Sequence, residues 1–550
     1  MHALNLFLFI CILKSVILTA KGGYIQISIR EGSIIGKTGI THNLNKKYYA
    51  FQGIPYAEPP ERFEVAVPKK PWKDVLNCTY DKSECVQGVE EITGSEDCLF
   101  LSVYTTNLTS TSAVIIWIHG GRFFSGNASY EYANPENFLD EDLVVVSIQY
   151  RLGVFGFLST EDLNCPGNFG LKDQVLALEW VQKNIRHFGG DKKNVTIFGQ
   201  SAGAISVALH STSEKSKGLF KGAIMNSGVS ISSLALTRNA LKTAYTIGSS
   251  PTSTKLLVQR LKTMDYRSLQ LESNSVVMSN PGLFELPFGP VIEPPHPTAF
   301  LTKRSDELLV IGNFSKVPML LGFTSNEMMI WQSVKIPITK DGIEEQIPLL
   351  SYLHSQTGPI YDSNLSLLVP TGIHSNRNLT EAGFKIKSKF WVNKSISSSV
   401  EDLIQFRNVD QYVRPINRFV KNVCKYDPQI YYYIFSYQGK LPGVSSEGVA
   451  HCDDILYFFN SDTNHSKEDD EMIKKVVKMW ANFCKFGKPI PYRDLFLENA
   501  NWESACSTQV PYLFNINSTM SKIDNPYQEL LDFYENEIFD VYGQGVYDTY

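Results

Sequence analysis

The sequence lacks a strong charge of either sign, a second long apolar run, internal repeats and any linker rich in Pro, Gly or Ser. Each lack removes a class of function. A formal net charge of −5 over 550 residues leaves no strongly basic face for nucleic-acid phosphates. After the N-terminus no stretch approaches the about 18 uninterrupted apolar residues of a spanning helix. The polar, acidic tail YENEIFDVYGQGVYDTY carries no lipid-anchor signal or retention tetrapeptide. With 43% hydrophobic and 19% charged residues, the composition shows no sign of disorder and can fill a large core. The motifs below run in one series along the chain, which predicts a single domain over 21–550 rather than the two to four that length alone favours.

What is present begins with MHALNLFLFICILKSVILTAKGG, an apolar run from Leu4 to Leu13 extended by Val16 to Leu18 and ending in the small residues Thr19 and Ala20. It reads as a signal peptide over 1–20 cut near Ala20, hence a secreted product. The alternative is a signal anchor, since Lys14 interrupts the run and no positive residue precedes it. Ten N-x-S/T sequons fit the secretory route: Asn77, Asn107, Asn127, Asn194, Asn313, Asn364, Asn378, Asn393, Asn464 and Asn517. Several are expected to carry glycan, but not Asn194, which opens a strand. Nine cysteines, Cys11 among them in the signal, leave eight for an oxidising compartment where disulfides persist. Their number alone fixes no pairing.

Short unbroken apolar runs alternate with helical patterns, as parallel strands buried on both faces require. AVIIWI (Ala113 to Ile118) and LVVVSIQY (Leu143 to Tyr150) are two such runs. A helix follows with Val175, Leu178, Val181 and Ile185 on one face and Gly189 to stop it, and then the strand VTIF. Strands at 317–322 and 429–437 and a helix from Asp469 to Phe486, acidic first and basic last, continue the pattern. The fold class predicted is α/β, a large, mostly parallel central sheet flanked by helices. Between 330 and 425 the pattern weakens and reads as helices and excursions over the sheet.

NVTIFGQSAGA, Asn194 to Ala204, raises the functional question. A Gly-x-Ser-x-Gly match alone carries little, and a glycine-rich turn is its bland explanation. Placed between a strand and the helix-compatible AISVALHS, it is a tight turn that pushes Ser201 out of the sheet edge. The N–H of Ala202 then points where negative charge develops in acyl transfer. A serine hydroxyl needs a base and a group that orients the base, and these are expected downstream, each after a strand. Glu327 follows the run at 317–321 and His451 follows the run at 429–437. Asp453 and Asp454 are rival acids, badly spaced to reach around the imidazole of His451. His119-Gly120-Gly121-Arg122 follows the strand at 113–118, where an oxyanion loop belongs. Backbone N–H groups of Gly120, Gly121, Arg122 and Ala202 are its candidate donors.

FQGIPYAEPP (51–60), SEDCLFLSVY (95–104), NFGLKDQ (168–174), FGQSAG and HCDDILYFF (451–459) resemble motifs of the type-B carboxylesterases, the carboxylesterase and cholinesterase group of α/β-hydrolases. The match runs in family order from about 25 to 535. The resemblance implies one catalytic domain that hydrolyses carboxylic esters through an acyl-enzyme, with Ser201 as nucleophile, His451 as base and Glu327 as acid. It implies a small-molecule ester as partner, no nucleic acid, no membrane anchor, no metal and no organic cofactor. It also implies a first disulfide between Cys85 and Cys98, for which Cys78 competes.

Four features depart from the family pattern. Arg122 replaces the third glycine of the oxyanion loop, so its side chain must leave the pocket or narrow it. Gln200 replaces the usual Glu beside the nucleophile, a variant shared with insect juvenile-hormone esterases. The segment Cys85 to Cys98 is short and has no Trp, which disfavours a quaternary ammonium substrate. The family's second disulfide has no cysteines here, and Cys452 is a candidate unpaired thiol. Three readings follow: a general secreted serine esterase, a juvenile-hormone-esterase-like enzyme with a dedicated lipophilic ester, and a binding or adhesion protein with weak catalysis.

Overall fold

A strand covered on both faces needs apolar side chains at odd and even positions alike, and the central strands meet that demand. The computed structural model describes residues 23–543 apart from 90, 238, 249–250, 280–285, 333–334, 339–344, 371–377, 427–428, 442–447, 460–464 and 509. The signal sequence, Cys11 and the sequon at Asn464 lie outside the described residues.

The strands, in chain order, are β1 (Tyr24–Ser28), β2 (Ser33–Ile40), β3 (Lys47–Pro55), β4 (Leu76–Asn77), β5 (Phe100–Thr105), β6 (Ser112–Ile118), β7 (Val144–Ile148), β8 (Gly190–Gln200), β9 (Gly222–Asn226), β10 (Met319–Thr324), β11 (Lys335–Ile338), β12 (Glu345–Pro348), β13 (Ile430–Phe435), β14 (Leu513–Ile516) and β15 (Ser521–Ile523). Thirteen form one sheet, in the order β1-β2-β3-β5-β7-β6-β8-β9-β10-β13-β14-β15 with β4 on β2, and β11 pairs β12 separately. From β7 through β14 every neighbouring pair is parallel. The antiparallel pairs lie at the two sides.

Alternation along β6 explains its unbroken run. Val114, Ile116 and Ile118 enter one core, and Ala113, Ile115 and Trp117 enter the other. β13 divides in the same way, with Ile430, Tyr432 and Ile434 on one side and Tyr431, Tyr433 and Phe435 on the other. The helices Phe169–Asn184 and Ala202–Thr212 supply the first core. The helix Lys467–Phe486 supplies the second, through Val476, Trp480 and Phe483. Ser466 caps its start by accepting from Asp469 N–H, and Gly487, at φ 71, ends it. A further cluster around Trp391, Phe406 and Tyr534 belongs to the helices of 349–424 and the C-terminal segment.

β7 and β8 flank β6 on opposite sides, so the chain reverses its winding there. Such a switch point opens a crevice at the carboxyl ends of the strands, where β6, β8, β10 and β13 all deliver loops. Two disulfides brace the molecule, Cys85–Cys98 and Cys424–Cys506, while Cys78, Cys165, Cys452 and Cys484 are free. Among the described residues no helix is long and apolar enough to cross a membrane.

Candidate active site

β8 stops at Gln200 and the next helix starts at Ala202, so Ser201 alone turns the chain. It does so at φ 56 and ψ −123, a conformation that costs a side-chain-bearing residue about 1–3 kcal/mol. Its neighbours enforce the strain: Ser201 N–H donates to the Asn226 carbonyl at 2.9 Å, and its own carbonyl accepts from Ile205 N–H at 2.9 Å. The flanking glycines are required by closeness. A Cβ on Gly199 would sit 2.2 Å from the Gly203 carbonyl carbon, and one on Gly203 would sit 2.1 Å from the Ile118 carbonyl oxygen. Ala202 is the first helical residue, so its N–H has no intrahelical acceptor.

The loop after β6 packs on this turn. A Cβ on Gly120 would lie 2.6 Å from the Gln200 carbonyl oxygen and 3.2 Å from Ser201 Cβ. Gly121, Arg122 and Phe123 follow with φ of 106, 56 and 59. The Gly121 carbonyl closes the loop by accepting Phe124 N–H at 3.0 Å and Ser125 N–H at 2.9 Å. Two groups brace it. Tyr150 stacks on His119 at 4.4 Å and donates its hydroxyl to the His119 carbonyl at 2.8 Å. Burial pulls His119 down to about 4, so its ring is a neutral strut. Gln87 exchanges two hydrogen bonds with the backbone of Gly126, 2.8 and 3.0 Å long, tying the loop to the segment closed by Cys85–Cys98.

Arg122 thus occupies a left-handed position where glycine costs nothing. Burial draws its guanidinium down from the usual value, against an upward pull from Tyr412. Tyr412 in turn lies 5.0 Å, ring centre to ring centre, from His451. Arg122 and His451 are thus both electrostatic neighbours of Tyr412.

Glu327 opens the turn that follows β10 and is fully buried, at 0% exposure. Thr324 N–H donates to its Oε1 at 2.8 Å, and its own N–H donates to Asn408 Oδ1 at 2.9 Å. Its Oε2 meets His451 Nδ1 at 2.5 Å, while His451 N–H donates to its carbonyl at 3.1 Å. The rival carboxylates have other partners: Asp453 Oδ2 accepts from Ala450 N–H at 2.8 Å, and Asp454 Oδ2 accepts from the Asn226 amide at 2.9 Å. Burial, reinforced by the Glu327 charge, pushes Asp454 up to about 7. For His451 burial works downward but is outweighed by Cys452, Tyr412 and the Glu327 carboxylate, so its pKa is raised well above the ordinary value.

A carboxylate only accepts, so Nδ1 of His451 carries a proton. At 3.2 Å from Nε2 stands the side-chain amide nitrogen of Gln200, a contact that is a hydrogen bond when Nε2 is unprotonated. Among the described residues no hydrogen bond joins Ser201 Oγ to the ring. The structure thus links Glu327, His451 and Gln200 by contacts, with the Gln200 amide nitrogen on Nε2 of the ring and Ser201 next in the chain.

Several of these contacts have no signal in the sequence. Asn226, Asn408, Gln87 and Tyr412 are ordinary-looking residues until the fold assembles them. Tyr412 sits on a π turn, Val409–Val413, between the helices Val400–Asn408 and Arg414–Cys424. Such turns often mark functional positions, but periodicity does not announce them. Among the described residues no group of three or more His, Cys, Asp or Glu is arranged to hold a metal ion.

Residues 24–534 match the family model described as "Carboxylesterase family". A juvenile hormone esterase of Tribolium castaneum is 35% identical over 86% of this chain and 85% of its own length. Esterase FE4 of Myzus persicae is 35% identical over 88% of each. Among solved structures, that of the juvenile hormone esterase from Manduca sexta, with OTFP covalently attached, superposes with a TM-score of 0.82 at 26% identity, covering 94% of this chain and all of that one.

Proposed function

The chain belongs to the carboxylesterase family and is a carboxylic ester hydrolase, and from that premise we propose that it works through Ser201, His451 and Glu327 with a covalent acyl-enzyme. Ser201 Oγ attacks the ester carbonyl while its proton passes to His451 Nε2. The carbonyl π pair moves onto oxygen, and the oxyanion is met by backbone N–H groups of the Gly120–Arg122 loop and of Ala202. Each such donor is worth about 2.7–4 kcal/mol of barrier. Collapse returns the pair, the alcohol departs with the proton from His451, and water repeats the sequence on the acyl group. Glu327 keeps the proton on Nδ1 and balances the imidazolium.

The observation that carries this reading is the 2.5 Å contact of His451 with buried Glu327 beside a serine held at positive φ. The test is covalent labelling of folded protein by an organophosphate, located by mass spectrometry. Stoichiometric adduct on Ser201, with burst hydrolysis of a short-chain nitrophenyl ester, is the expected result. Folded protein without an adduct there overturns it, and equal behaviour of wild type and Ser201→Ala favours the binding-protein reading.

A second reading concerns substrate. Gln200 and the likeness to two juvenile hormone esterases favour a lipophilic ester as the dedicated substrate. Higher kcat/KM for a long terpenoid methyl ester than for butyrate esters is then expected. We further propose that the protein is secreted after removal of 1–20 as one domain over 21–550, with glycan on some of its sequons.

A further inference from the structure

A general base works only when its lone pair faces the proton it must take, yet the lone pair of His451 faces Gln200. We propose that Gln200 is a positioning residue that caps Nε2 of His451 before substrate binds and yields it to Ser201 Oγ on binding, thereby favouring the neutral form of the base. The inference rests on the triad reading above and adds to it.

Three observations carry the argument. The Gln200 amide nitrogen lies 3.2 Å from Nε2 while Nδ1 meets the Glu327 carboxylate, an arrangement that is a hydrogen bond only for the neutral ring, whose Nε2 has a lone pair for the amide N–H. The side chain of Gln200 is confined, 4% exposed, with its Oε1 3.0 Å from where a Cβ on Gly120 would stand. It thus spans from the oxyanion loop to the base. Gln200 also adjoins Ser201, so whatever displaces the amide from the ring happens at the nucleophile itself.

The cap distinguishes the two protonation states. An amide N–H stabilises the neutral imidazole but opposes the N–H of an imidazolium, so it favours the form that can accept a proton. A carboxylate in its place would do the reverse. The other ionisable groups around the ring are Glu327 on the turn after β10, Tyr412 on the π turn, and Cys452 on its own loop. Asp454 interacts electrostatically with Glu327 and His451, and Arg122 does so with Tyr412. Together they hold the pKa of His451 up, and Gln200 works against them.

The test is the pH dependence of kcat/KM for a nitrophenyl ester, measured on full-length wild type, Gln200→Glu and Gln200→Met, with organophosphate titration of active sites at each pH. Gln200→Glu is expected to move the acid limb up by about one pH unit or more, a roughly tenfold loss along that limb. Its activity should recover to within a few-fold of wild type per titrated site on the alkaline plateau. Gln200→Met, which fills the space without a donor, should move the limb in the same direction by a smaller amount. A limb unmoved in both variants with full titration overturns the cap and leaves the triad standing. A uniform fall at all pH values also overturns it, since that marks packing alone. If Gln200→Glu does not fold, Gln200→Met decides by the same criterion. Wild type that takes up no label would instead fail the triad reading itself.

Discussion

Ser201 is held by backbone and His451 by side chains. Around Ser201 the positions are set by sterics: Gly199 and Gly203 let three main-chain segments touch, and the serine is held at φ 56 where β8 meets its helix. Beside His451 the left-handed residue is its neighbour Cys452, at φ 75, and the rest is hydrogen bonding. His451 and Glu327 are fixed by the hydrogen bond from Thr324 N–H to Glu327, by that from Glu327 N–H to Asn408, and by each other. A jam of backbone atoms cannot loosen without unfolding, whereas a set of hydrogen bonds can be retuned one partner at a time. The nucleophile half should therefore fail in stability when altered, and the base half in chemistry.

The largest expected effect tests the second clause. Glu327→Gln keeps shape but replaces the acceptor that fixes the proton on Nδ1, and kcat should fall by about 10³–10⁴. Circular dichroism and the thermal midpoint are expected to stay close to wild type. A comparable loss of fold would erase the contrast between the halves. Next comes Gly203→Ala, whose methyl would enter the Ile118 carbonyl. We expect about 3 kcal/mol or more of destabilisation in urea unfolding. Gly218 supplies the control: at φ +79 with nothing within 4 Å of an added Cβ, its alanine variant should lose only about 1 kcal/mol, the strain of a left-handed backbone.

The smallest effect sharpens the picture of the base half. Folding raises the Asp454 pKa from 3.8 to about 7, so the native state gains from its proton below pH 4 and loses that gain as pH rises through 7. Asp454→Asn keeps an acceptor for the Asn226 amide and never ionises. Its thermal midpoint should exceed that of wild type by a few degrees at pH 8, and the gap should narrow toward pH 4. A gap of constant size would place the benefit in packing instead.

The same division governs what the sequence could tell. Apolar runs at 113–118 and 143–150 mark β6 and β7 because two-sided burial leaves no polar gaps, and the glycines around Ser201 mark a turn because sterics admit nothing larger. β8 is less legible. It begins at Gly190, while the polar stretch Asp191 to Asn194 conceals the extension past a shift in register. Between 349 and 424 the helices build their own cluster around Trp391 and Phe406, to which no strand contributes among the described residues. Cys424–Cys506 joins residues 82 apart, and nothing local in either neighbourhood announces it. The order of Ser201, Glu327 and His451 along the chain was readable; Glu327 and His451 are in contact, and Gln200, which adjoins Ser201, meets the same ring. The placement of Gln200 on the ring nitrogen was not, because it depends on a rotamer and on the ring of a residue 251 positions later.

That interval of 251 residues has a consequence during synthesis. A chain made N-terminus first completes its serine turn and must then add every residue up to the imidazole, which takes roughly 10–50 s at ordinary translation speeds. On the mechanism proposed above, the half-made polypeptide carries a hydroxyl without a base throughout that window. Products of premature termination before residue 451 should then be equally inert, with hydrolysis beginning only after the ribosome has finished most of its work.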